Sequence, residues 1–82
     1  MMMSTGRLYD IVAQVMNVPT SQIKDESGPE SIEDWDSFHG LILIDEIETA
    51  LQVKFTLEEV TNTKTVGDIK RNLYNHGVVL DG

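Results

Sequence analysis

Cysteine is absent from this 82-residue chain, which excludes disulfides and thiolate metal sites and leaves the fold to rest on packing alone. Basic residues are scarce: six Lys and Arg stand against fourteen Asp and Glu, for a net charge of −8. Nucleic-acid binding needs the opposite balance, because phosphates are neutralised by Lys and Arg. Anionic membrane surfaces are disfavoured for the same reason, whereas a protein partner with a basic patch is favoured. Long apolar runs are missing too. The longest, Leu41-Ile42-Leu43-Ile44, falls far short of the ~18 residues of a membrane span, and Met1 to Arg7 lacks the apolar stretch of a secretory signal. These absences lead us to expect a cytoplasmic protein that does not insert into membranes.

What is present is enough apolar material for one core. Hydrophobic residues make up 40% of the chain, which argues against disorder along its length. We expect a single domain over residues 1–82, ordered from about 5 to 77, and monomeric. So short a chain leaves little room for a deep catalytic cleft, so the expectation is a protein that is not itself an enzyme.

Leu8, Ile11, Val12, Val15 and Met16 recur at helical spacing, with Ser4 or Thr5 as a cap and Asn17-Val18-Pro19 as the stop. From Thr20 to Asp36 the texture turns polar, with Gly28-Pro29 as a turn signal and Ile23, Ile32 and Trp35 as the large apolar residues that would pin a long loop. A second helix is expected from Ser37 to about Gln52, with Phe38, Leu41, Leu43, Ile44, Ile47, Ala50 and Leu51 as its apolar face. A buried strand competes over residues 41–44, and fifteen Val and Ile against two Ala favour it, but the length of the periodic region decides for helix.

Thr56-Leu57-Glu58-Glu59 carries a capping-box pattern, and Thr65-Val66-Gly67-Asp68 a variant of it. They open a short helix and a final helix that buries Val66, Ile69 and Leu73, turns Lys70 and Arg71 outward and stops at Gly77. Val78 to Leu80 form a tail, and Met1 to Met3 a frayed end. The expected fold is all-α: a four-helix bundle of three longer helices and a short third one, with a long first loop.

Acid placement is the most informative feature. Residues 25–48 hold nine acids and no Lys or Arg, and they bracket one junction, where an acidic loop delivers Asp36-Ser37 to a helix start. Most charge runs are only solvated faces, and Ser at a helix start is ordinarily just an N-cap. The same place can also seat a phosphate on the Ser37 hydroxyl, because a helix N-terminus offers unpaired N–H groups. Position 40, where a capping box would put Glu or Gln, is Gly40, which keeps the surface beside Ser37 open.

Trp35-Asp36-Ser37-Phe38, followed by Leu41, Leu43, Ile44, Ile47 and then Phe55, resembles the acyl carrier proteins, whose signature is Asp-Ser-Leu at the start of the second helix. The resemblance runs from about Leu8 to Asn75 and includes the long loop and the short third helix. It implies that Ser37 carries 4′-phosphopantetheine, transferred from coenzyme A by a phosphopantetheinyl transferase. It further implies an arm thiol that bears acyl groups as thioesters, and a second helix that docks partners through Asp36, Phe38, Leu41, Ile42, Asp45 and Glu48. Those partners would be acyl-activating, condensing or acyltransferase enzymes with basic docking patches, in fatty acid, polyketide or related biosynthesis.

Departures from the pattern are specific. Phe38 replaces the usual Leu, His39 stands where an acid is frequent, Ile42 occupies a common Glu position, and the small residue upstream of Asp-Ser is missing. They point to a specialised carrier. A D-alanyl or aminoacyl carrier is the nearest alternative, and an unmodified acidic helical adaptor, with Ser37 merely capping, is an alternative of another class. His39 is two residues from Ser37 and so points away from it on a helix, which argues against a Ser–His nucleophile. The Asp34-x-Asp36 pattern fails as a calcium loop, since His39 stands where Gly is needed. We therefore expect no metal site and no catalytic residues.

Overall fold

The computed structural model describes residues 2–81, which form four α-helices and one pair of short strands. Strand β1 (Met2–Ser4) leads into α1 (Thr5–Met16), and a 3₁₀ turn (Thr20–Gln22) opens the long loop. Helices α2 (Ser37–Leu51), α3 (Leu57–Asn62) and α4 (Val66–Asn75) follow, and β2 (Val79–Asp81) ends the chain. No helix among the described residues is long and apolar enough to cross a membrane.

Local chemistry sets the helix ends. Ser4 caps α1, its Oγ accepting the Arg7 N–H at 3.1 Å, and Asn17 closes the helix in the left-handed region that Asn tolerates. Both capping boxes form as expected, with Thr56 and Glu59 exchanging hydrogen bonds at α3 and Thr65 and Asp68 at α4. One core joins Leu8, Val12 and Met16 of α1 with Leu43, Ile47 and Leu51 of α2 and Val66, Ile69 and Leu73 of α4.

The two chain ends depart from expectation. Met2–Ser4 pairs in parallel with Val79–Asp81, Met3 lying opposite Leu80, so the ends are strands and the fold is mostly helical rather than all-α. Met3 is only 4% exposed, which makes it a core residue instead of part of a frayed end. Met1 and Gly82 lie outside the described residues. Gly77 reverses the chain at φ 84°, a conformation that glycine adopts without steric cost, and Val78 is then buried as β2 begins. Three-residue strands are too short to leave a periodic signal in sequence.

Between the 3₁₀ turn and α2 the loop is bolted down in two ways. Ile23, Ile32 and Trp35 are buried in the core, as the sequence suggests. Backbone bonds then tie it to the start of α4: Val66 N–H donates to Ser27 O at 3.0 Å and Gly67 N–H to Asp25 O at 2.7 Å. The Asp25 carboxylate adds a polar latch. It receives the Tyr9 hydroxyl at 2.5 Å and Lys70 Nζ at 2.6 Å, so α1, the loop and α4 meet at one group. Lys70 is therefore drawn inward to this latch rather than turned fully to solvent. Lys70 first, and Tyr9 second, hold the Asp25 carboxyl below its usual range.

Gly28 sits where the loop backbone passes closest to the α3–α4 connection. A Cβ there would run into the Lys64 carbonyl oxygen, whereas a Cβ at Gly6 in α1 meets nothing. Thermal melts of two variants check this packing. Gly28→Ala is expected to lose about 1–3 kcal/mol from overpacking, and Gly6→Ala to gain about 0.5–1 kcal/mol from helix propensity.

Candidate functional site

The start of α2 gathers most of the candidate residues. Its N-cap is Asp36, whose Oδ1 accepts the His39 N–H at 2.8 Å, rather than Ser37. Both residue types cap well, and the chain uses the earlier one, which makes Ser37 the first helical residue. The bland role for Ser37 is thereby taken by its neighbour. Ser37 is exposed and its hydroxyl has no hydrogen-bond partner among the described residues. It lies in the first turn, where backbone N–H groups lack intrahelical acceptors and the dipole's positive end favours an anion.

His39 turns back onto the cap. Its Nδ1 lies 2.9 Å from Asp36 Oδ1, and its ring meets Phe38 edge to face at a centroid separation of 5.6 Å. The imidazole is thus engaged by Asp36 and Phe38. The His39 backbone N–H first, and its ring second, hold the Asp36 carboxyl below its ordinary value.

Beside Ser37 opens a cleft of about 510 Å³ between α2, the long loop and the α3–α4 segment. Trp35, Leu43 and Ile44 form its apolar floor with Ile69, and Val60 and Lys64 lie on the far side. Gly40 lines the same side of α2 as Ser37. The far wall could not be read from sequence, because those residues sit more than twenty positions from Ser37 and carry no motif.

The outward ridge of α2 differs from the apolar face expected for it. Leu43, Ile44, Ile47 and Leu51 are buried, but Phe38 is 67% exposed, Leu41 59% and Ile42 37%, and Ala50 is exposed as well. A helix on one side of a core buries one stripe, and so wide an apolar face leaves the remainder outside. Asp45 and Glu46 are exposed beside these residues. Glu48 is used internally: its Oε2 accepts the Phe55 N–H at 2.8 Å and fixes the turn into α3. Of the six residues expected to meet partners, five are exposed and Glu48 is half-buried in that structural bond. His76, at the end of α4, pairs with Glu59 of α3 at 2.9 Å.

Among the described residues no group of three or more His, Asp or Glu side chains is placed to hold a metal ion. No protein-family model matches the chain, and no curated protein matches it.

The cap makes the site's stability pH-dependent in a defined direction. A carboxyl whose folded pKa is depressed stabilises the protein above its unfolded value, near 3.8 for Asp36, and that contribution is lost as pH falls through the lower folded value. Circular-dichroism melts should show Asp36→Ala lowering the melting temperature by a few degrees at pH 7. Asp36→Asn keeps a capping oxygen and should lose less, with a shallower fall in stability below pH 4.

Proposed function

We propose that the chain is a carrier protein that bears a 4′-phosphopantetheine arm on Ser37 and presents acyl groups to partner enzymes. The observation that carries this reading is the division of labour at α2: Asp36 does the capping, so the Ser37 hydroxyl stands exposed and unpartnered at a helix N-terminus beside an apolar-floored cleft. The match of the Trp35-Asp36-Ser37-Phe38 segment and element order to the acyl carrier pattern supports it further. When bound, the arm supplies a thiol that holds acyl groups as thioesters.

The residues present fit that group. In the transfer from coenzyme A, Ser37 Oγ forms the bond to phosphorus as the bond to adenosine 3′,5′-bisphosphate breaks, and the hydroxyl proton passes to the transferase. The Asp36 carboxylate already takes the His39 N–H, and the positive end of the α2 dipole favours the resulting phosphodiester charge. His39, held to Asp36, brings imidazole rather than a carboxylate to this turn. Gly40 offers no side chain to obstruct the approach to the cleft. The absence of cysteine leaves the arm's thiol without a competing protein thiol.

Partner choice follows from the ridge of α2. Phe38, Leu41 and Ile42 offer apolar contacts at the i, i+3 and i+4 positions, and Asp45 and Glu46 flank them with negative charge. Such a surface suits a partner with an apolar socket rimmed by Arg and Lys, the charges setting encounter rate and the apolar residues residence time. The apolar share of this ridge supports a specialised carrier.

Intact mass after incubation with coenzyme A and a broad-specificity phosphopantetheinyl transferase tests the assignment. We expect a gain of one arm in the parent and none in Ser37→Ala; a folded parent that gains nothing, also with a transferase from the native source, overturns it. The docking surface has its own test. Asp45→Lys should slow association with a cognate enzyme by about tenfold at low salt, an effect that fades as salt screens it, and leave the melting temperature unchanged.

A further inference from the structure

One indole donor near Ser37 has no protein acceptor. Trp35 is the chain's single tryptophan and is 6% exposed, with its ring anchored in the core. Its indole Nε1 makes no hydrogen bond among the described residues. Every fully sealed side-chain polar atom among those residues does have a partner, so this N–H is one that the cleft reaches. The indole N–H is a donor only, and with no protein acceptor its cleft-facing edge is open to an incoming one.

Its position singles out what that acceptor belongs to. Trp35, Ser37 and Gly40 line the same cleft, and a Cβ built at Gly40 would meet Nε1 at 3.8 Å and nothing else within 4 Å beyond its chain neighbours and its own helix backbone. Glycine there leaves an open lane over α2 from the Ser37 side to the indole edge, even though an interior helical glycine is less favourable than alanine. Across the cleft, Thr63 Oγ1 is already committed, donating to Glu59 O at 2.6 Å and accepting from Asn72 Nδ2 at 2.7 Å. We infer that the Trp35 indole N–H is a positioning group that donates a hydrogen bond to an amide carbonyl of the arm carried on Ser37, laying that arm along the Gly40 lane into the cleft.

The inference rests on the carrier reading, and one experiment separates the two. The ¹⁵N-labelled protein is loaded with coenzyme A and the transferase, loading is verified by intact mass, and the single indole N–H cross-peak is followed. Loading is expected to move that peak downfield and to slow its exchange with solvent by about tenfold, the scale of one net hydrogen bond. Ser37→Ala incubated with the same reagents should show neither change. Gly40→Leu, which fills the lane, should lose both in the fraction that intact mass shows to be loaded. A verified mass gain with an unmoved indole peak, or a shift that persists in loaded Gly40→Leu, overturns the inference while the carrier reading stands. A folded parent that gains no mass overturns both.

Discussion

The long loop between α1 and α2 has to cross the face of the core without stranding its backbone polar groups, and the rest of the molecule depends on how that is done. Asp25 and Ser27 give their carbonyls to Gly67 and Val66 at the head of α4, while Ile23, Ile32 and Trp35 plug the loop into the core. Those N–H groups belong to the first turn of α4 and have no intrahelical acceptor of their own, so the loop caps the helix as the helix anchors the loop. Gly28 lets the two backbones close up. Everything downstream follows from this seam: it fixes where Trp35 lies, and Trp35 is the residue before the cap that starts α2.

The Asp25 latch reinforces the seam across a wide pH range. Its carboxyl, held down chiefly by Lys70, contributes above the ordinary carboxylate pKa and fades as pH falls through the depressed value. Lys70 and Tyr9, both raised chiefly by Asp25, contribute below their ordinary values near 10.5 and 10.0 and fade as pH rises through the elevated ones. Between those limits all three groups favour the folded state. Because the Asp25 and Lys70 side chains keep partial contact with solvent, the latch sets register more than it adds stability.

Much of this architecture was legible because it is written locally. A capping box is a four-residue pattern, and Thr56 with Glu59 and Thr65 with Asp68 form where that pattern stands. The stripe of Leu8, Val12 and Met16 is likewise periodic within one helix. Long-range features escaped. Pairing of Met2–Ser4 with Val79–Asp81 joins the two ends of the chain and needs no sequence motif beyond a few apolar residues. Glu48 belongs to a docking face only through the resemblance, and its bond to the Phe55 N–H depends on the turn seven residues later. The position of the cap was ambiguous for a different reason. Asp36 and Ser37 are both good capping residues, and sequence preference alone does not choose between neighbours.

That single-residue choice decides what α2 can present. Had Ser37 been the cap, its oxygen would accept a first-turn N–H and the helix would begin one position later. The Ser37 hydroxyl is left uncommitted because the Asp36 carboxylate supplies the cap. Gly40 lies over the Trp35 edge, where alanine would improve helix propensity and a long side chain would cover the cleft floor. A chain of this size has little stability to forgo, so a glycine and an open apolar floor at this one place are a local cost that the fold offsets elsewhere, chiefly through the loop–α4 seam.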